Sequence, residues 1–345
     1  MVHRLIHKRQ KLPRLAVLEH LHGRLRTVFV VLFLLMGIQK SLSFSTEVGR
    51  GGYAGSFLRM GLGARGMAMG GGSVALTDDG YVTYYNPAGL VFLPGRWFTA
   101  TLNTMALDRR LIYVGYAQSI GGPEKGFLRG GFSAGWVCAG VTNIDARDFS
   151  GNDIGSLSNW EHCFFFSFAL NPAPPVSIGV SGKLLYNRFP GITDDEEAIS
   201  ARGFGFDIGV IVRPFRFLTL GLTVKDLRSK YTWDTQELWE RGTQTVDTFP
   251  RIIRGGVSAT LLSNRMIVAF DLEKVEYWPW RYMIGLEAEG YRGIFLRGGI
   301  KSGEIMAGAG YRYRLANKTI HLDYAYVPDP VAPRANHVFT WSFVF

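Results

Sequence analysis

Three glycines come closest to a recognisable chemical motif: Gly61, Gly63 and Gly66 spell G-x-G-x-x-G. That spacing lets backbone turn tightly against a pyrophosphate whose charge is received at a helix N-terminus. The chemistry also needs a buried strand before the glycines, a crossover helix after them and an acidic residue about 20 positions on. Residues 50–60 do not read as a buried strand, and the chain beyond the glycines alternates like sheet without crossover helices. Nucleotide binding is therefore set aside. An activated nucleophile needs a base within reach, and His162, His321 and His337 are scattered over separate strands or ends. No zinc-ligand spacing and no basic–aromatic nucleic-acid motif occurs. The sequence is thus read as non-enzymatic, with no metal, no cofactor and no nucleic-acid partner.

The same glycines make better sense as part of a longer stretch, residues 61–90. Its early half is too glycine-rich for an ordinary helix and lets backbone pack closely on backbone. Asp78 and Asp79 make a turn, and Tyr84, Tyr85, Asn86, Pro87, Ala88, Gly89 and Leu90 close the segment as a rigid, hydrogen-bonding corner.

Residues 1–45 are a different material. A basic region from Arg4 to Arg26 leads into an apolar run, Val28 to Met36, followed by Ser41, Ser43 and Ser45. This reads as a secretory signal peptide, with an apolar run too short for a comfortable transmembrane helix; an uncleaved anchor is the alternative. The leader carries a net +7 of the chain's +10, leaving +3 for the rest. The basic balance is therefore mostly an export signal and not a nucleic-acid surface. High glycine (43 residues) and aromatic content (14%) with only 19% charged residues suit a membrane β-barrel.

From Trp97 onward one theme repeats: about ten residues of period-2 alternation, then a turn. Fourteen strands are predicted, at 97–105, 111–119, 128–141, 161–170, 176–189, 201–213, 217–227, 251–262, 265–275, 281–289, 292–301, 304–314, 318–327 and 337–345. Long connections (142–160, 190–200, 228–250, 328–336) come after odd-numbered strands, and mostly tight ones after even-numbered strands. Outer-membrane barrels sort their loops between the two ends in this way. The fold class is therefore all-β: a 14-stranded antiparallel transmembrane β-barrel, with 1–45 as signal peptide, 46–96 as an N-terminal hatch inside the lumen and 97–345 as the barrel.

Alternation gives each strand two faces. Phe204, Phe206, Ile208, Val210 and Val212 oppose Asp207 and its flanking glycines, and Met266, Val268, Phe270 and Leu272 oppose Ala269, Asp271 and Glu273. The apolar face must meet lipid, because a charge there costs about 2–4 kcal/mol at the midplane. That places Asp207, Lys225, Asp271, Glu273, Glu287, Arg297, Arg312 and Asp323 in the lumen. Their mixed signs favour a salt-bridge network between hatch and wall over a charge-selective path. Opposite parity also separates Cys138 from Cys163 and predicts no disulfide.

The stretch 61–90 resembles the N-terminal hatch of the FadL superfamily of outer-membrane barrels. The resemblance rests on Gly63-Ala64-Arg65, Met69-Gly70-Gly71, Ala75 to Asp79 with the Asp78-Asp79 turn, and Tyr84 to Leu90 with Asn86-Pro87-Ala88 at its centre. Chain length and later strand signatures such as Leu322-Asp323-Tyr324-Ala325-Tyr326 resemble the PorV/PorQ branch more narrowly. The last strand, with aromatics at alternate positions up to Phe345, resembles the signal read by the barrel-assembly machinery. The resemblance implies the outer membrane of a Gram-negative-type bacterium and contact with its lipid. It also implies transport of a hydrophobic small molecule or handling of a secreted protein cargo. An open diffusion porin is the alternative, which the hatch argues against. Tyr231, Trp233 and Trp239, deep in the 228–250 loop, are expected to contact cargo, with an interfacial aromatic belt as the competing reading.

Overall fold

The alternation read in the sequence becomes a closed wall of antiparallel strands. The structure, a computed structural model, describes residues 53–121, 129–189, 198–234 and 242–345. The signal-peptide reading of 1–45 and the first hatch residues lie outside these. The wall begins with β1 (Arg96–Thr104), β2 (Arg109–Ile120), β3 (Arg129–Arg147), β4 (Asp153–Ala173), β5 (Val176–Phe189), β6 (Ile199–Phe215) and β7 (Leu218–Leu227). A short hairpin comes next, β8 (Lys230–Asp234) and β9 (Gln244–Thr248). The wall resumes with β10 (Ile252–Leu261), β11 (Met266–Val275), β12 (Trp280–Glu289), β13 (Ile294–Lys301), β14 (Glu304–Leu315), β15 (Lys318–Pro328) and β16 (Ala335–Val344).

Each wall strand pairs with its sequence neighbour, β7 passes directly to β10, and β1 pairs with β16 from Trp97↔Val344 to Thr104↔His337. The ring is therefore a closed barrel of fourteen strands. Closure matters because lipid offers no partner to an unpaired N–H or C=O, each of which costs several kcal/mol there. The outer face is apolar: on β4, Phe164, Phe166 and Phe168 are exposed while Cys163, Phe165 and Ser167 are buried. Cys138 pairs across the ladder with His162, and Val137 with Cys163, so the two free cysteines stand on opposite faces.

Two predicted outer loops are corrected. Most of 142–160 is sheet: β3 and β4 stay paired as far as Arg147↔Asp153. Above the bilayer a strand needs no apolar face, so the hydropathy alternation fades while the hydrogen-bonded ladder continues. Within 228–250, β8 and β9 pair with each other, and β8 takes over from β7 beside β6 at Ala201↔Trp233. The handover falls where Asp226 and Arg228 have φ near +60° (60° and 57°), which breaks the β7 ladder.

Residues 53–95 lie inside the ring. Two short helices, α1 (Ala64–Ala68) and α2 (Val82–Tyr85), and the 3-10 turn Pro87–Phe92 are nearly all buried, and a further 3-10 turn, Ser56–Arg59, buries Phe57 and Leu58. Helix α1 rests on β13 to β16, and the Pro87–Phe92 turn on β2 to β6, so the segment meets opposite sides of the wall. Close seating depends on wall glycines. A β-carbon at Gly179 on β5 would collide with the Ala88 nitrogen and Pro87 carbonyl carbon, and one at Gly299 on β13 with the Gly70 nitrogen. Gly179→Leu is expected to lower the stability of the folded barrel by about 1–3 kcal/mol, measured by denaturant midpoint in vesicles. Gly182→Leu, three residues along the same strand with open space beside it, should leave the midpoint unchanged.

Candidate functional site

The densest chemistry lies where the N-terminal segment meets the wall. Gly61 and Gly63, with φ of 97° and 76°, turn the chain into α1 and aim Arg65 at the wall. Arg65 is buried and donates twice to Glu287 on β12, from Nε to Oε2 and from Nη2 to Oε1, both at 2.8 Å. It also grips Asp78 in a second fork at 3.0 and 3.1 Å, with Asp79 at 3.8 Å. Glu287 accepts in turn from Arg297 on β13 at 2.6 Å, and Arg297 donates to Asp323 on β15 at 2.7 Å. Burial alone would pull the Arg65 guanidinium down, but Asp78, Glu287 and Asp79 more than offset it and raise it well above its ordinary value. Burial also pushes Asp79 up to about 6, against the opposing pull of Arg65 and of the Tyr81 N–H.

Asn86 is the second anchor and is fully buried. Its Nδ2 donates to Val74 O at 3.1 Å, to Val210 O on β6 at 3.1 Å and to Leu222 O on β7 at 3.3 Å. Its Oδ1 accepts from Ala88 N at 3.1 Å, which caps the Pro87–Phe92 turn. Pro87 starts that turn without forfeiting a donor, and Ser177 on β5 donates to Ala88 O at 2.7 Å. The corner therefore sits in the lower half of the wall, at the end where β1 begins and β16 ends. Tyr84 and Tyr85 hold the chain above them, their hydroxyls donating to Leu58 O at 2.8 Å and Leu62 O at 2.7 Å. At the β1–β16 seam, Tyr81 OH shares a hydrogen with Thr101 on β1 at 2.6 Å and Ala64 N donates to Thr340 on β16 at 2.9 Å.

The lumenal carboxylates and cations form further pairs. Asp271 accepts from Ser73 N at 2.9 Å and Val74 N at 3.0 Å. Glu273 takes Arg254 at 2.9 Å and also Arg281. Asp207 pairs with Lys183 at 2.7 Å, Lys225 stands 4.0 Å over the Tyr84 ring, and Arg312 pairs with Glu289 at 2.8 Å. Met69, Gly70 and Gly71 pass the backbone along β13 and β12, and Gly71 O accepts from Arg254 Nη1 at 3.1 Å. Lys183, Asp226 and Arg254 belong to this set but were not among the candidates. Lys183 and Arg254 share inward parity with their strands and were legible; Asp226 was not, because its positive φ places two successive residues, Lys225 and Asp226, inward. Among the described residues the lumen keeps small cavities, one of about 30 Å³ between Met60, Met67, Met283, Met306, Arg254 and Lys301, and one of about 10 Å³ beside Tyr84, Lys183 and Lys225. Each has room for about a water or two.

The outer-loop aromatics need correction. Tyr231 is 1% exposed, because β8 alternates like any strand and turns it inward against Phe249. Its hydroxyl donates to Glu161 on β4 at 3.1 Å. Trp233 is half-buried beside Phe189, with Nε1 donating to Asp247 at 2.7 Å. Trp239 lies outside the described residues.

No family model matches the chain, and neither does any curated protein. Solved structures do. The Ralstonia pickettii toluene transporter TbuX superposes with a TM-score of 0.60 at 14% identity, covering 83% of this chain and 98% of that one. This chain has a FadL-like barrel fold. The monoaromatic hydrocarbon channel CymD gives 0.59 at 12% identity over 83% of this chain and 98% of its own. A Pseudomonas aeruginosa FadL homologue gives 0.55 at 13% identity, over 82% and 96%. At such identities the likeness is one of fold.

Arg65→Leu should cost about 3–5 kcal/mol, because Glu287 and Asp78 lose the guanidinium between them, and Arg65→Lys should recover only part, lacking the double fork. Denaturant midpoints and protease access to residues 53–95 measure both. Asp79 contributes a pH dependence. Its folded carboxyl holds a proton up to about pH 6 and its unfolded one only to near 3.8. The stability this gives is full below about pH 4 and is lost as pH rises through 6. Asp79→Asn should flatten that part of the stability–pH profile.

Proposed function

We propose that this chain is an outer-membrane barrel that passes small hydrophobic molecules through a gate formed by its own N-terminal segment. The observation that carries this reading is the filled lumen. Residues 53–95 contact wall strands from β2 round to β16, through hydrogen bonds and ion pairs that are reversible and not covalent. A general diffusion pore would need that space empty. A transporter can keep a hatch in place at rest and shift it when cargo enters, at the expense of a few charge-assisted contacts. The fold neighbours described as toluene transporters and a monoaromatic hydrocarbon channel support this substrate class. On this reading residues 1–45 are removed on export, the strand ending at Phe345 addresses the chain to the assembly machinery, and the outer membrane is its site.

A second reading, cargo handling in protein secretion by a PorV/PorQ-type member, is favoured by one observation. The β3–β4 hairpin rises beyond the other wall strands and carries Phe149 and Ile154 fully or largely exposed near its tip. Exposed apolar side chains there suit a protein client better than a small solute.

Vesicles containing the intact protein should take up toluene faster than empty vesicles while remaining tight to ions and sugars. Deleting residues 49–92 should give a folded barrel with large, leaky conductance. Uptake no faster than in empty vesicles overturns the transport reading, and a deletion that prevents barrel formation reduces the segment to a folding staple. Specific retention of an exported protein, abolished by Phe149→Ser with Ile154→Ser while uptake is absent, would establish the secretion reading instead.

A further inference from the structure

The two ends of the barrel treat their basic residues differently. At the outer end carboxylates accompany the basic residues: Arg109 pairs with Asp329 at 2.6 Å, Arg147 with Asp145 at 2.9 Å and Arg251 with Glu276 at 2.8 Å. Arg110 and Arg334, without a direct ion pair among the described residues, share that end with the exposed Asp108, Asp153 and Asp247. At the lower end Arg96, Arg216, Arg265, Arg292, Arg314 and Lys318 are exposed, and no ion pair among the described residues involves any of them. Among the described residues, Asp78 and Glu289 near that end are committed to Arg65 and Arg312.

These cations are ordered around the wall. They occupy the tight connections β6–β7, β10–β11, β12–β13 and β14–β15 and the start of β1 beside the end of β16. In the ring these positions succeed one another as an unbroken arc from β6 round to β1. The β4–β5 connection, with Pro174 and Pro175, carries no charge. Successive basic turns stand two strands, about 10 Å, apart. That is close to the screening length at physiological salt, so their mutual repulsion persists unless an anion lies between them.

Every basic turn also carries an exposed apolar side chain: Phe215 and Phe217 around Arg216, Leu262 near Arg265, Tyr291 before Arg292, Leu315 after Arg314, and Phe345 beside Arg96. Phe215 and Phe217 stack at 5.5 Å, and Arg292 lies 4.8 Å over the Tyr291 ring. An aromatic at the end of a lipid-facing strand marks headgroup depth. The cations, one to three residues away or directly across the β1–β16 join, therefore lie near that depth, continuous with the lipid-facing wall.

We infer that this arc binds the headgroups of anionic phospholipids in the leaflet on the side of the tight turns. The phosphates supply the counter-charge that the protein omits there, each shared between neighbouring turns, while the flanking aromatics contact the acyl–headgroup boundary. An acidic protein on the same end would be met by the charges but would leave the outward apolar side chains, Phe or Tyr at three of the five positions and Leu at the other two, without a role.

The test uses the intact protein in vesicles of phosphatidylcholine with phosphatidylglycerol as the minor lipid, followed by gentle extraction and native mass spectrometry of the retained lipids. Phosphatidylglycerol should be enriched over its bulk ratio by about threefold or more, and the enrichment should fall as salt rises from about 0.05 to about 0.5 M. The combined variant R216Q/R265Q/R292Q/R314Q should retain lipids at the bulk ratio while still showing the heat-modifiable migration of a folded barrel. R110Q/R147Q/R251Q/R334Q, at the other end, should stay enriched. Bulk-ratio retention by the unmodified protein overturns the inference, as it would if an acidic protein were the partner. Undiminished enrichment in the first variant, or equal loss in the second, overturns it too. If the first variant does not fold, enrichment by the unmodified protein that is insensitive to salt overturns it.

Discussion

A guanidinium taken out of water must find carboxylates, and Arg65 finds them on two separate parts of the chain. Glu287 belongs to the wall and Asp78 to the turn after the glycine run. A single side chain thereby fixes α1 against β12 and folds residues 65–79 back on themselves. Without this clasp the glycines, which carry no side chains to pack, would have little reason to lie against β12 and β13. The chain through Glu287, Arg297 and Asp323 spreads the clasp over three wall strands, so each buried charge has a partner and no one strand carries the cost.

Much of this was legible because two unrelated rules govern it. Lipid on one side and a packed lumen on the other force period-2 alternation, so β5 appears with the limits the sequence predicts and the wall with its fourteen strands. Arg65 and Asn86 stood out through the resemblance of residues 61–90 to a FadL-type hatch, and the rule that a buried Arg or Asn needs partners is met at both. What the sequence hid lies where neither rule applies. Above the bilayer β3, β4 and β8 continue with no apolar face to advertise them, so Tyr231 read as a loop aromatic when it is a core residue. Asp226 escaped because one positive φ shifts the parity, and alternation carries no trace of backbone conformation.

The lumen itself is divided by chemistry. Toward β2–β6 the outer half is mostly aromatic, with Phe57, Leu62, Tyr85, Tyr113, Phe165 and Tyr231 in one cluster beside the buried Lys183–Asp207 pair. Toward β10–β15 it is charged, lined by Arg254, Glu273 and Lys301 with methionines between. Methionine adapts its shape at little cost, so the packing around the small Met-lined cavity is adaptable while Arg65–Glu287 and Arg254–Gly71 pin the segment on that side. On the aromatic side the Tyr84 and Tyr85 hydroxyls staple it.

The segment inside the barrel also touches both sides of the β1–β16 seam. Tyr81 reaches Thr101 on β1, Ala64 reaches Thr340 on β16, and the two threonine hydroxyls lie 3.2 Å apart across the join. These strands are the first and last of the wall, and bringing them together closes a loop of more than two hundred residues, an entropic cost that rises only slowly with length but must be met all at once. A mandrel lessens such a task for a cooper: staves bent around a form arrive with their edges already aligned. Ala64 and Tyr81, touching both edges at once, in this sense hold the join from within, adding to the β1–β16 ladder that closes the ring.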